Sequence, residues 1–172
     1  MLFELIAVVA AGFLGGGLAS IARRLVKALP RWSIPVGAAA AMMTVAVSLE
    51  YSWFERTRDT LPEGVEVALT SESRAPWRPW TYAIPQVDRF LAVDRGSLRT
   101  HEAAPELRMV DLLAFARWTP PDRLAVVVDC EEGRRADIVP GVDFTGDGRI
   151  EGATWHRMGL DHPVTRIACR PS

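Results

Sequence analysis

Two stretches without a charged side chain, residues 5–22 and 32–49, restrict what this chain can fold into more than any other feature. A helix rises about 1.5 Å per residue, so each run approaches or reaches the roughly 17 to 25 residues that cross about 30 Å of hydrocarbon. A soluble protein would have to bury two helices that are apolar on all sides. The remainder of a 172-residue chain is too small to wrap them. The overall figures, 49% hydrophobic with a net charge of −1, look ordinary only because they average two unlike regions. A cleaved signal peptide would carry its charged cluster ahead of the apolar run, whereas here the cluster follows it.

The expected fold is therefore a membrane α-helical hairpin of two transmembrane helices, residues 1–52, followed by a small α+β or mainly β soluble domain, residues 53–172. Arg23, Arg24, Lys27 and Arg31 fall in or beside the connecting loop, residues 23–31. Excess Lys and Arg in a short loop marks the cytoplasmic side, which places both termini and the C-terminal domain in the periplasm of a bacterial inner membrane. Trp32, Tyr51 and Trp53 suit the aromatic belts of the two interfaces.

Small residues recur at intervals of four along both helices: Gly12, Gly16 and Ser20 in the first, Ala40, Thr44 and Ser48 in the second. Beside these run Ala11, Gly15 and Ala19, and Gly37 and Ala41. Such stripes let backbones approach closely in lipid, joining the helices to each other or to a partner. Neither run holds an ionisable group at membrane depth, which argues against a proton relay or ion path.

In the second region, Val65, Val67 and Leu69 alternate with more polar residues, the period of a half-buried strand. Prolines 76, 79 and 85 make residues 71–85 an ordered loop, with Trp77, Trp80 and Tyr82 as anchors for docking on a partner. Residues 89–93 and 98–100, parted by Asp94-Arg95-Gly96-Ser97, read as a hairpin. Residues 106–118 fit a helix or a buried strand. Residues 124–128 form the clearest strand, residues 136–139 a return, and residues 164–169 a last strand. Cys130 and Cys169 then end neighbouring strands. An oxidising compartment would let them form a disulfide, with two free thiols as the alternative.

One local motif carries chemistry. Residues 143–154 place Asp143, Thr145 and Asp147 at positions 1, 3 and 5 of a twelve-residue loop, with Gly148 at the turn and Glu151 at position 9. This resembles the calcium loop of EF-hand and dockerin-type modules, which implies Ca²⁺ as a ligand of those four side chains. The resemblance covers a dozen residues only. Thr154 stands where the acidic position-12 ligand belongs, and the same Thr-Gly-Asp-Gly run suits a tight hairpin turn. Beyond that possible Ca²⁺, no cofactor is implied.

Catalytic patterns are missing: the sequence has no Gly-x-Ser-x-Gly elbow, P-loop, Rossmann fingerprint or His-Glu-x-x-His. A net charge of −1 without a basic stripe outside the loop between the helices argues against nucleic acid. The expected function is a non-catalytic accessory subunit of a larger inner-membrane complex, whose partners are other integral membrane proteins and the lipid bilayer. The alternative is a membrane-anchored periplasmic binding or sensing module.

Overall fold

The computed structural model describes residues 2–146 and 148–171, and the chain divides into two compact units, residues 1–56 and 57–172. The first is a pair of long helices, α1 (Leu2–Leu25) and α2 (Ser33–Asp59). Both are long and apolar enough to cross a membrane, with mean hydropathies of 2.1 and 1.4 over their most apolar windows. Hardly any of those windows is buried within the chain. The charged residues 50–59 continue α2 as helix. Between the helices the close approach runs through Gly12, Gly15 and Ala19 on α1 and Gly37, Ala41 and Met42 on α2. A side chain at Gly15 would collide with the Gly37 carbonyl and the Ala41 methyl.

The second unit is a curled antiparallel sheet in the order β1-β2-β3-β4-β5-β8: β1 (Val65–Ser73), β2 (Gln86–His101), β3 (Ala104–Ala116), β4 (Thr119–Asp129), β5 (Arg134–Asp137) and β8 (Trp155–Arg157). Two short strands, β6 (Asp143–Phe144) and β7 (Ile150–Glu151), form a separate hairpin. The C-terminal helix α3 (Pro163–Ala168) packs against β1, β2 and β4. Alternate residues of the central strands, Val93, Val110, Leu112, Val126 and Val128, meet Val164, Ile167 and Ala168 of α3 in one buried cluster. This is the period-2 pattern of strands meeting the i, i+3, i+4 stripe of a helix.

Three sequence expectations change. Residues 164–169 form a helix, not a last strand. Pro163 starts it with a preset φ, and His162 caps it through Nδ1, which accepts the Val164 N–H at 3.3 Å. The β-branched Val164 and Ile167, strand-like in isolation, are overridden by packing against the sheet. Residues 89–100 form no hairpin. They belong to the single strand β2, in which residues 95–98 bulge out between the pairs Asp94–Asp111 and Arg99–Met109. Asp94 accepts the Gly96 N–H at 3.0 Å, and the Ser97 hydroxyl donates to the Asp94 carbonyl at 2.7 Å and accepts the Asp111 N–H at 2.9 Å. The turn chemistry is real but is spent on a bulge. Residues 106–118, open between helix and strand, lie mostly in strand β3.

Candidate functional site

The sheet is longer than the helix that fills it. α3 covers the rows through Val93, Leu112 and Val126, while the next two rows of the same face stay open. In one, Leu69, Leu91, Ala114 and Asp122 are successive cross-strand partners; in the other, Ser71, Arg89, Ala116 and Thr119. These eight residues, with Thr70, Phe90 and Phe115 of the row between them, line a hollow of about 650 Å³. Its floor is apolar because Leu69, Leu91, Ala114 and Ala116 face it. The β3 positions are alanines, so no large side chain from that strand fills the hollow. Beneath it, on the opposite face, Phe90 and Phe115 are stacked with ring centroids 4.6 Å apart. Arg89 and Asp122 stand at the rim, and among the described residues neither has an ion-pair or hydrogen-bond partner. None of these residues stood out as a site in the sequence. An Ala-x-Ala pair inside an apolar strand was the one local signal.

At the same end of the sheet, the β1–β2 loop and the β3–β4 turn carry exposed aromatic side chains. Trp77, Tyr82 and Trp118 are 78%, 57% and 57% exposed, and Ile84 beside them is 64%. Trp77 and Trp118 flank a shared cavity of about 280 Å³ with Arg78 and Arg117, and the Arg117 guanidinium lies 4.9 Å from the Trp118 ring. Trp80 is half-buried in the short 3-10 turn Pro79–Tyr82, and its ring nitrogen has no hydrogen-bond partner among the described residues. The loop therefore separates an inner Trp80 from an outer Trp77 and Tyr82.

At the other end, Cys130 after β4 is bonded to Cys169 at the end of α3, with Cα atoms 5.7 Å apart. The cysteines thus join a strand end to a helix end, not two neighbouring strands. The C-terminal carbonyls of α3 are held as well: Arg108 donates to the carbonyls of Ala168 at 3.0 Å and Arg170 at 2.9 Å, and Arg95 donates to that of Arg170 at 3.2 Å. Cations at a helix C-terminus complement its dipole.

The turn after β4 is organised by the buried Asp129. Its carboxylate accepts the N–H groups of Glu131 and Glu132, each at 3.0 Å, and the Arg134 Nε–H at 2.9 Å. Arg134 in turn lies 4.5 Å from the Trp155 ring of β8. Burial pushes the Asp129 carboxyl up, but the hydrogen bonds from Glu132, Arg134 and Glu131 and the Arg134 charge outweigh it and hold it below its usual 3.8. A depressed carboxyl stabilises the fold above its unfolded value and loses that contribution as pH falls through the folded one. Asp129→Asn is thus expected to lower stability by about 1–2 kcal/mol at neutral pH. The gap from wild type should close below about pH 4, as measured by thermal melts across pH. A gap that does not change with pH would remove the charge from this account.

In the β6–β7 pair, Asp143 and Glu151 are cross-strand partners, and the Thr145 hydroxyl donates to the Arg149 carbonyl at 3.0 Å. Gly148 has φ +80 and packs its Cα face against the His101 ring. Asp147 lies outside the described residues. Among the described residues no group of three His, Cys, Asp or Glu side chains converges as a metal site. On the helices, Gly16 lies at the margin of the α1–α2 contact, where a side chain would meet the Ala38 methyl at an ordinary 3.6 Å. Ser20 is half-buried, and Ala40, Thr44 and Ser48 are exposed. The Thr44 and Ser48 hydroxyls donate to the carbonyls four residues back, at 2.9 and 2.8 Å.

No known family model, curated protein or solved structure matches this chain.

Proposed function

We propose that this protein is a non-catalytic accessory subunit of a bacterial inner-membrane complex, held in the bilayer by the α1–α2 hairpin, with its sheet domain on the periplasmic side. The basic residues between the helices support that orientation, and a disulfide in the sheet domain is compatible with it. The observation that carries the subunit reading is the stripe Ala40, Thr44 and Ser48. The hairpin packs through Gly12, Gly15, Ala19 and Gly37 and leaves this second small-residue face of α2 uncovered. Both hydroxyls on it donate within the helix, so it offers a partner helix a small-residue surface without an unsatisfied donor. The exposed Trp77, Tyr82 and Trp118 supply a second contact of the kind that concentrates energy at interfaces.

Thr44→Leu tests this reading. The larger side chain holds a partner helix away while raising hydrophobicity, so membrane insertion is unharmed. In native electrophoresis from mild detergent, wild type should migrate in a larger assembly and Thr44→Leu should run alone. As a control, Gly16→Cys with Ala38→Cys should still crosslink within the chain, because their β-carbons lie at disulfide distance. If wild type itself migrates alone, the subunit reading fails. The second reading, a membrane-anchored binding module, is favoured by the open hollow over Leu69, Leu91 and Ala114.

A further inference from the structure

We propose that the hollow on the concave face of the sheet binds a single-chain amphiphile, with its hydrocarbon tail over Leu91, Ala114 and Ala116 and an anionic head group on Arg89. This does not rest on the subunit reading, because it uses a different face and a different unit of the chain.

A volume of about 650 Å³ with an apolar floor and a few polar rim groups falls within the range of ligand sites of roughly 300–1,000 Å³. The open rows are not merely a frayed sheet end. Each row runs across four strands, with the β3–β4 pairing shifted by a bulge between Ala114 and Ala116, and stacked Phe90 and Phe115 lie between the two rows with their rings on the opposite face. Apolar area left open in this way favours an apolar occupant. A charged guanidinium with no partner among the described residues, beside an apolar floor, selects a molecule that pairs a tail with a carboxylate or phosphate. Asp122 has no partner either. It stands two strands away from Arg89, where it repels a purely anionic head but attracts a zwitterionic one carrying an ammonium group.

An extended peptide added to the free edge of β1 is the competing occupant, and the edge disfavours it. Ala68 bulges out of register on β1, and the pairing shifts again between Ser71 and Glu72. Only Leu69, Thr70 and Ser71 therefore remain in one straight register beside the hollow. Bulges are a device by which sheets blunt their edges, and strands usually run about five to six residues.

The test is photolabelling of the full-length protein in lipid nanodiscs. One arm uses a diazirine fatty acid, the other a diazirine lysophosphatidylethanolamine, and the labelled peptides are mapped by mass spectrometry. In wild type, label is expected on peptides containing Leu91 and Ala114 as well as on α1 and α2. A tenfold excess of the unlabelled amphiphile should remove the sheet label. Ala114→Phe fills the hollow and should cut that label at least fivefold, leaving the helix label unchanged as an internal control. Arg89→Glu, an exposed position that cannot disturb the core, should cut it similarly, which keeps the test decisive if Ala114→Phe misfolds. Labelling by the fatty acid alone identifies a carboxylate ligand. Labelling by the lysophospholipid alone identifies a zwitterionic one, with Asp122 facing the ammonium. Label confined to α1 and α2 in both arms, or sheet label that both variants retain, overturns the proposal.

Discussion

Cys130→Ser combined with Cys169→Ser is expected to lower the melting temperature of the sheet domain by roughly 15 °C. The disulfide spans 39 residues. In the chain-entropy account, closing a loop of that size removes about 4 kcal/mol worth of freedom from the unfolded state, and a domain of this size shifts by about 4 °C per kcal/mol. The native state makes the same point independently. Helix α3 is six residues long, far below the length at which an isolated helix holds itself together. What positions it is burial of Val164, Ile167 and Ala168, the Arg95 and Arg108 hydrogen bonds at its C-terminus, and the bond to Cys130. Differential scanning calorimetry of wild type and the double variant, in the same detergent, reads the shift. A change under about 3 °C would mean that burial and the arginines suffice to hold α3.

Leu112→Ala should cost about 3 kcal/mol, whereas Leu69→Ala on the same face should cost less than about 1 kcal/mol. Leu112 is 1% exposed and is the largest fully buried side chain, enclosed by α3 on one side and by Val93 and Val126 in neighbouring positions. Truncating it opens a cavity that a rigid sheet and a disulfide-tethered helix cannot collapse. Leu69 is 39% exposed at the hollow, where solvent already reaches the side chain and no new cavity forms. Chemical denaturation of both variants checks the contrast. Equal costs would show that the hollow is closed in solution, and would count against the amphiphile site as well.

Sequence by itself determined the features that rest on local pattern. Two charge-free runs long enough to cross a bilayer become α1 and α2, each left almost wholly uncovered within the chain. Residues 65–70 and the apolar run at 124–128 become β1 and part of β4, although a bulge at Ala68 breaks the expected alternation and puts Val65 and Val67 on the opposite face from Leu69. The Cys130–Cys169 bond was one of two readings open to two cysteines in one region, and the structure forms it between a strand end and a helix end. Tertiary structure decided the rest, wherever a short segment was locally ambiguous. Residues 164–169 have the β-branched content of a strand, but Pro163, the His162 cap and a sheet face wanting an i, i+3, i+4 stripe make them a helix. Asp94 to Ser97 have turn chemistry, yet long-range pairing of β2 with β3 on both sides turns them into a bulge. The seam between α1 and α2 passes through Gly15 and Gly37, not Gly16, because helix rotation is set by which faces fit and both stripes were present. The hollow is the extreme case. It is made from Leu69, Leu91, Ala114 and Asp122 on four different strands, and it exists because the sheet extends two rows past a helix only six residues long, a mismatch of lengths that no window of sequence contains.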